Sequence, residues 1–158
     1  MKTQILFACA LALALTNLAG CASKPPPDAP AKSTATLVNT QWKLGKVGQR
    51  VVTTPQGGQD VYLVLQADNQ RVAGFSGCNR LMGSYALNGS QLKFDQMAGT
   101  RMACEGDGMK IEDEFLAIFP LVARWEIDGQ ALQLLDAGDK SLATFQARAP
   151  NPQGARPD

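Results

Sequence analysis

The chain holds four cysteines, Cys9, Cys21, Cys78 and Cys104, and no histidine, which bounds the chemistry it can do. Without an imidazole there is no Ser-His-Asp triad, no Cys-His pair, no His-ligated metal site and no histidine pH switch. Carboxylates and thiols remain. Asp95 and Glu105 are the acids considered for hydrolytic work, yet no pair of acids has recognisable catalytic spacing. Glu112, Asp113 and Glu114 are adjacent. On a helix three such side chains point in different directions and cannot converge on one ion, so they predict a solvated face. Arg80 and Arg101 each lie close to a cysteine and could meet in space as an anion or partner site; the plainer reading leaves them in solvent or beside local carboxylates. The expectation is a protein that is not an enzyme and has no catalytic residue, cofactor or metal.

The N-terminus carries the clearest signal. Lys2 precedes an unbroken apolar run over 5–15, short of the ~20 residues of a spanning helix but suited to a signal peptide. Leu18-Ala19-Gly20-Cys21 then resembles the bacterial lipobox, whose cysteine is lipidated and becomes the first residue after cleavage. The competing reading is an ordinary signal cut elsewhere, with Cys21 a spare thiol. Ala22, rather than aspartate, follows the cysteine. By resemblance to diderm lipoproteins, the destination is the outer membrane, lipid-anchored and facing the periplasm. Residues 1–20 are thus read as the signal peptide and 21–36 as lipidated Cys21 with a Pro-rich tether. Residues 37–147 are read as the folded domain and 148–158 as a disordered tail.

Loss of residues 1–20 removes only Lys2 among the charges, leaving 14 bases against 14 acids. A neutral chain with no basic run excludes nucleic acid as the main partner. Cys78 and Cys104 are then the remaining cysteines, and in an oxidising compartment two remaining thiols usually pair. Closing that loop is worth ~3.5 kcal/mol on the chain-entropy account. Two buried reduced thiols or a reactive thiolate are the alternatives.

Several elements must position these groups. Residues 61–65 and 71–75 are dense in β-formers, and 85–87, 91–95, 124–127, 131–134 and 142–147 follow. Asn88-Gly89 and Asp128-Gly129 predict type I′ hairpin turns. Over 107–119, Ile111, Phe115, Ile118 and Phe119 fall on one face of a helix, which Asp107 can cap and which Pro120 ends nearby. The result is a mainly β fold: a small antiparallel barrel-like sheet of seven or eight short strands with one inserted α-helix. Gly74, Gly77 and Gly83 predict bends, a bulge or close backbone approach. Trp42 and Trp125 are expected in the core or at the barrel end.

Three stretches taken in order resemble the META domain, the family that includes the HslJ-like heat-shock lipoproteins. They are Asn39-Thr40-Gln41-Trp42-Lys43-Leu44, then Ser76-Gly77-Cys78-Asn79-Arg80 with Gly83 and Tyr85, then Thr100-Arg101-Met102-Ala103-Cys104. Glu114-Phe115-Leu116 and 129–134 also fit, so the likeness runs over 37–146. Pro120 and the Pro-Gln-Gly-Gly insert at 55–58 depart from the pattern. The resemblance implies a small barrel-like fold carrying a helix and loose links to heat shock, envelope stress, resistance to hydrophobic antibiotics and, in some members, motility or secretion, with no agreed biochemical activity.

The leading functional expectation is a non-enzymatic outer-membrane lipoprotein in a binding or scaffold role under envelope stress. Its partners would be the membrane, through lipid on Cys21, and an envelope protein or hydrophobic ligand, with Asn79, Arg80 and Arg101 as candidate contacts. The alternative is a periplasmic inhibitor or chaperone of a secreted or host enzyme, which predicts a protruding loop over 47–59.

Overall fold

The computed structural model describes residues 34–54 and 58–148. The stretch read as a signal peptide, Cys21, most of the stretch read as a tether, most of the 55–58 insert and all but the first residue of the expected tail lie outside the described residues. Nine strands form one sheet: β1 Gln41–Val47, β2 Arg50–Val51, β3 Tyr62–Leu65, β4 Arg71–Phe75, β5 Arg80–Asn88, β6 Gln91–Gly99, β7 Arg124–Asp128, β8 Ala131–Leu135 and β9 Ser141–Arg148. All pair antiparallel, nearly always with their chain neighbour, and β9 returns to pair with β1, so the sheet is ring-like. The count exceeds the expected seven or eight, and the two-residue β2 is too short to leave a pattern. Arg148, expected in the tail, ends β9 beside Gln41.

Between β6 and β7 the ring is thin, with only Gln91 and Arg124 in register. Helix α1, Gly108–Ile118, and a 3-10 turn, Phe119–Leu121, lie in this connection. Buried Phe115 and Ile118 come from the predicted helix face, and Phe119 and Pro120 sit in the 3-10 turn rather than in α1. Asp107 stands at the N-cap but makes no capping bond with its side chain. Its backbone is in the helical region, whereas a capping side chain needs an extended backbone to reach the first N–H groups. Among the described residues, no helix is long and apolar enough to cross a membrane.

Trp42, Leu44, Leu63, Leu65, Leu92, Leu132, Leu134 and Phe145 point inward and are almost wholly buried in one cluster with Phe115. Phe94, Phe119, Phe115 and Phe145 form a chain of ring contacts, with centroids 4.8, 4.9 and 6.0 Å apart. Side chains therefore fill the ring, and a hydrophobic ligand would have to bind outside it. Trp42 donates from Nε1 to the Leu37 carbonyl at 2.8 Å, while Trp125 is half-buried and donates to Gly89. Gly74 is the predicted close approach: a Cβ there would lie 2.2 Å from the Tyr62 carbonyl oxygen. The two hairpins form where predicted but differ in turn type. Their two-residue loops begin at Gly89 and Gly129, each at φ +57°, and the residue after each glycine is not at positive φ. That is the pattern of type II′, with glycine first, rather than type I′.

β1 closes the ring by pairing with β3 on one side and β9 on the other. A buried carboxylate fastens this seam. Asp60 is 8% exposed and lies 2.8 Å from Lys43 Nζ of β1, with Arg148 of β9 and the Thr54 hydroxyl also bonded to it. Burial pushes the Asp60 carboxyl up, but the bond and charge of Lys43, the bond from Thr54 and the charge of Arg148 outweigh it and hold the group below the ordinary aspartate range. A group depressed in the folded state stabilises fully above its unfolded value, and that contribution is lost as pH falls through the folded value. Asp60→Asn is therefore expected to cost about 2 kcal/mol in urea unfolding at neutral pH. The gap from wild type should close as pH falls below about 4; a gap that is unchanged in acid would place the effect elsewhere.

Candidate functional site

The two motif segments meet in one junction. The turn from β4 to β5 is Ser76-Gly77-Cys78-Asn79, closed by the Ser76 N–H donating to the Asn79 carbonyl at 2.9 Å. Gly77 has φ +113°, and a Cβ there would lie 3.1 Å from the Gly108 carbonyl oxygen. The start of α1 thus rests backbone to backbone on this turn, and only glycine permits both the conformation and the approach.

One turn into α1, Glu112 faces the same place. Its carboxylate accepts from the Asn79 backbone N–H at 2.9 Å, from Asn79 Nδ2 at 3.0 Å and from the Ser76 hydroxyl. The other end of the Asn79 amide holds the second motif. Oδ1 accepts from the Thr100 hydroxyl and the Met102 N–H, both at 2.8 Å, while Nδ2 also donates to the Met102 carbonyl at 3.2 Å. Asn79 is 3% exposed and its amide is fully used inside the chain. The Cys78–Cys104 disulfide is formed, with Cα atoms 5.8 Å apart, and fastens the 100–104 segment a second time.

The triple acid is therefore not a solvated face. Glu112 serves the turn and Glu114 takes a two-nitrogen grip from Arg50 at 2.8–3.0 Å, leaving Asp113 exposed. Successive helical residues are rotated by about 100°, so Glu112 and Glu114 reach opposite neighbours across Asp113. The bond to Arg50 lowers the Glu114 carboxyl, and the same bond raises Arg50. Among the described residues no three His, Cys, Asp or Glu side chains gather as a metal-binding group.

A cleft of about 590 Å³ opens beside the junction. Phe75, Gly77, Val61 and Ile111 contribute to its apolar part, with Thr53 and Glu105 among the polar groups around it. Arg50 and Asp107 also line it, so the concavity is mixed, with an apolar part beside charged groups, and suits a small amphipathic ligand. The region predicted as a protruding loop lies at one side of the cleft. Its first part, through Val51, is instead a hairpin: Val47 and Val52 are buried, and Arg50 is tied to α1 through Glu114, while Thr53, Gly58 and Gln59 are exposed and in no strand. Arg80 and Arg101 are brought near each other, because the Thr100 N–H donates to the Arg80 carbonyl and the Thr100 hydroxyl accepts from the Arg80 N–H. Both are exposed, and among the described residues neither guanidinium has an ion-pair partner. Sequence reasoning missed Glu112, Arg50 and the cleft. The sole sequence trace of the first was an acid one turn inside a helix start.

The META domain family model matches residues 35–149. A protein from Burkholderia xenovorans solved by NMR is 29% identical over 80% of this chain and 97% of its own, with a TM-score of 0.59. A second NMR structure is similar at 21% identity over 70% of this chain and 90% of its own, with a TM-score of 0.56, and bears on the fold alone. Among curated proteins, no match to the chain is found.

Glu112→Gln places an amide N–H against donors at the junction and is expected to destabilise the fold by about 2–3 kcal/mol in urea unfolding. The Met102 amide should then exchange its hydrogen faster, since Asn79 is no longer held. Asp113→Asn should change neither quantity; equal effects of the two substitutions would remove the junction role.

Proposed function

The chain belongs to the META domain family, whose members point to a stress-related envelope protein, and on that premise we propose that it is a non-enzymatic, lipid-anchored binding protein of the outer membrane. Lipid on Cys21 holds it at the bilayer, and its domain faces the periplasm. The observation that carries the binding role is the cleft beside the junction. Its walls come from β2, the end of β4 and the start of α1, and a disulfide, a buried Asn–Glu network and the Arg50–Glu114 pair hold those elements. A rigid, partly apolar cleft favours recognition, because little ordering has to accompany binding. The loop that an inhibitor of another enzyme would present starts as a hairpin tied to α1 through Arg50, which favours the cleft over that alternative.

Two outcomes are expected. Cys21→Ser should move the protein from the membrane fraction to the soluble periplasmic fraction, and the mature wild-type protein should carry diacylglyceryl mass. Continued membrane residence of the variant without that mass would refute the anchor. Thr53→Trp places a large ring at the exposed rim without touching the core. It should reduce tolerance to a hydrophobic antibiotic to that of a deletion strain while leaving thermal stability within a few degrees. Full tolerance in the variant would show that the cleft does not carry the function.

A further inference from the structure

An antiparallel sheet with one buried face normally turns polar side chains to water on the other. The half of the ring made by β7, β8, β9 and β1 does so, with Arg124, Glu126, Asp128, Gln133, Gln146 and Lys43 outward. The half made by β3 to β6 does so only toward the β5–β6 hairpin, where Asn88, Gln91, Lys93 and Asp95 are exposed; toward the β4–β5 turn it does not. Register aligns Val64, Ala73, Met82 and Ala98 as one cross-strand row on the outer face, and Tyr62, Phe75 and Arg80 as the row beside it. The first row is wholly apolar. Met82 is 45% exposed, Ala98 is exposed, and Val64, Ala73, Tyr62 and Phe75 are half-buried.

Basic groups fringe this apolar face. Arg71 stands at one end of β4, Arg80 at the opposite end of the patch, and Arg101 just beyond β6. All three are exposed, and among the described residues none of their guanidinium groups is in an ion pair. One carboxylate, Asp95, shares the face, and its Oδ1 accepts from the Gln96 N–H.

We propose that the outer face of β3 to β6 lies against an anionic phospholipid surface, with the row Val64–Ala73–Met82–Ala98 in the interfacial layer and Arg71, Arg80 and Arg101 on lipid phosphates. This rests on the reading of the chain as lipid-anchored. Twelve residues lie between Cys21 and Thr34, where the described structure begins, so the domain can stand at most about 45 Å from the anchor. The face is always within reach of the bilayer. Its chemistry also favours lipid over a protein. The row consists of small or unbranched side chains on a sheet surface, and none of the four lines the cleft, so it lacks the pocket in which protein hot spots concentrate. A bilayer interface asks only for apolar side chains with long basic ones that can snorkel around them.

The test uses the chain from residue 22 onward, without lipid, sedimented with vesicles of phosphatidylglycerol or of phosphatidylcholine. Binding to phosphatidylglycerol at low salt and its loss at high salt are expected. Arg80→Gln and Arg101→Gln should each weaken it about 5-fold. Met82→Asp should abolish it, whereas Gln133→Asp on the opposite outer face should leave it unchanged. Circular dichroism of each variant reports folding, and the exposed arginine variants keep the test decisive if Met82→Asp misfolds. Equal binding to the two lipids, or wild-type binding by Met82→Asp and by both arginine variants, would overturn the proposal. So would a photocrosslinker at position 82 that captures a single protein, and no lipid, in intact cells. The tested chain lacks Cys21, so failure on vesicles speaks against the face, while failure of the fractionation experiment speaks against the anchor.

Discussion

Buried polar groups must find partners inside the protein, and Asn79 and Ser76 find theirs in the half-buried Glu112 carboxylate. Its donors are the Asn79 backbone, the Asn79 amide and the Ser76 hydroxyl, and the rest of the Asn79 amide is given to Thr100 and Met102. One side chain of α1 therefore ties together the β4–β5 turn, the segment after β6 and the helix itself. Removing Glu112 leaves the buried Asn79 and Ser76 groups short of an acceptor, which costs more than the bond alone. The disulfide repeats the same connection covalently between Cys78 and Cys104. The cleft exists because these three pieces cannot drift apart.

The inside and outside of the ring are organised by different rules. Inside, aromatic and branched residues fill the volume, and α1 adds Phe115 where β6 and β7 barely pair. Outside, ion pairs fasten the joints that packing leaves weak. Asp60 joins β1 and β9 at the seam, and Arg50 joins the β1–β2 hairpin to α1. The Asp60 contacts combine partial burial with several donors, which makes them stronger than an isolated surface pair.

Features written within a few residues were legible in the sequence. Leu92 and Phe94, or Trp125 and Ile127, alternate with polar neighbours, and glycine marks each hairpin, so strands and turns could be placed. Ile111, Phe115 and Ile118 repeat with helical spacing and placed α1 within a residue or two. The pairing of Cys78 with Cys104 was expected from the reading of an oxidising compartment and from the small number of thiols. What could not be read depends on contacts between distant segments. Glu112 and Glu114 look alike in a line of acids, and only the docking of α1 on Gly77 separates their roles. Asp107 has the right type for a cap, but the backbone bend after Gly106 denies it the geometry. The apolar outer row was equally hidden, because Val64, Ala73, Met82 and Ala98 come from four strands and align only once register is known. Asn79 was legible as special, though its burial was not.

The antiparallel pairing of Gln41 with Arg148 has a topological consequence. The start and end of the fold sit side by side, and most strands pair with their immediate neighbours in the chain. A ring built this way need not open where its chain ends lie. Joining Arg148 to Gln41 through a short linker and cutting at Gly89 would preserve every strand pairing except the tight connection of one hairpin. The entropic cost of closing the ring would then move from one seam to another, growing only slowly with the length of chain between. The point at which synthesis begins is thus separable from the architecture, and circular permutation changes the order of the strands in time without changing their order in space.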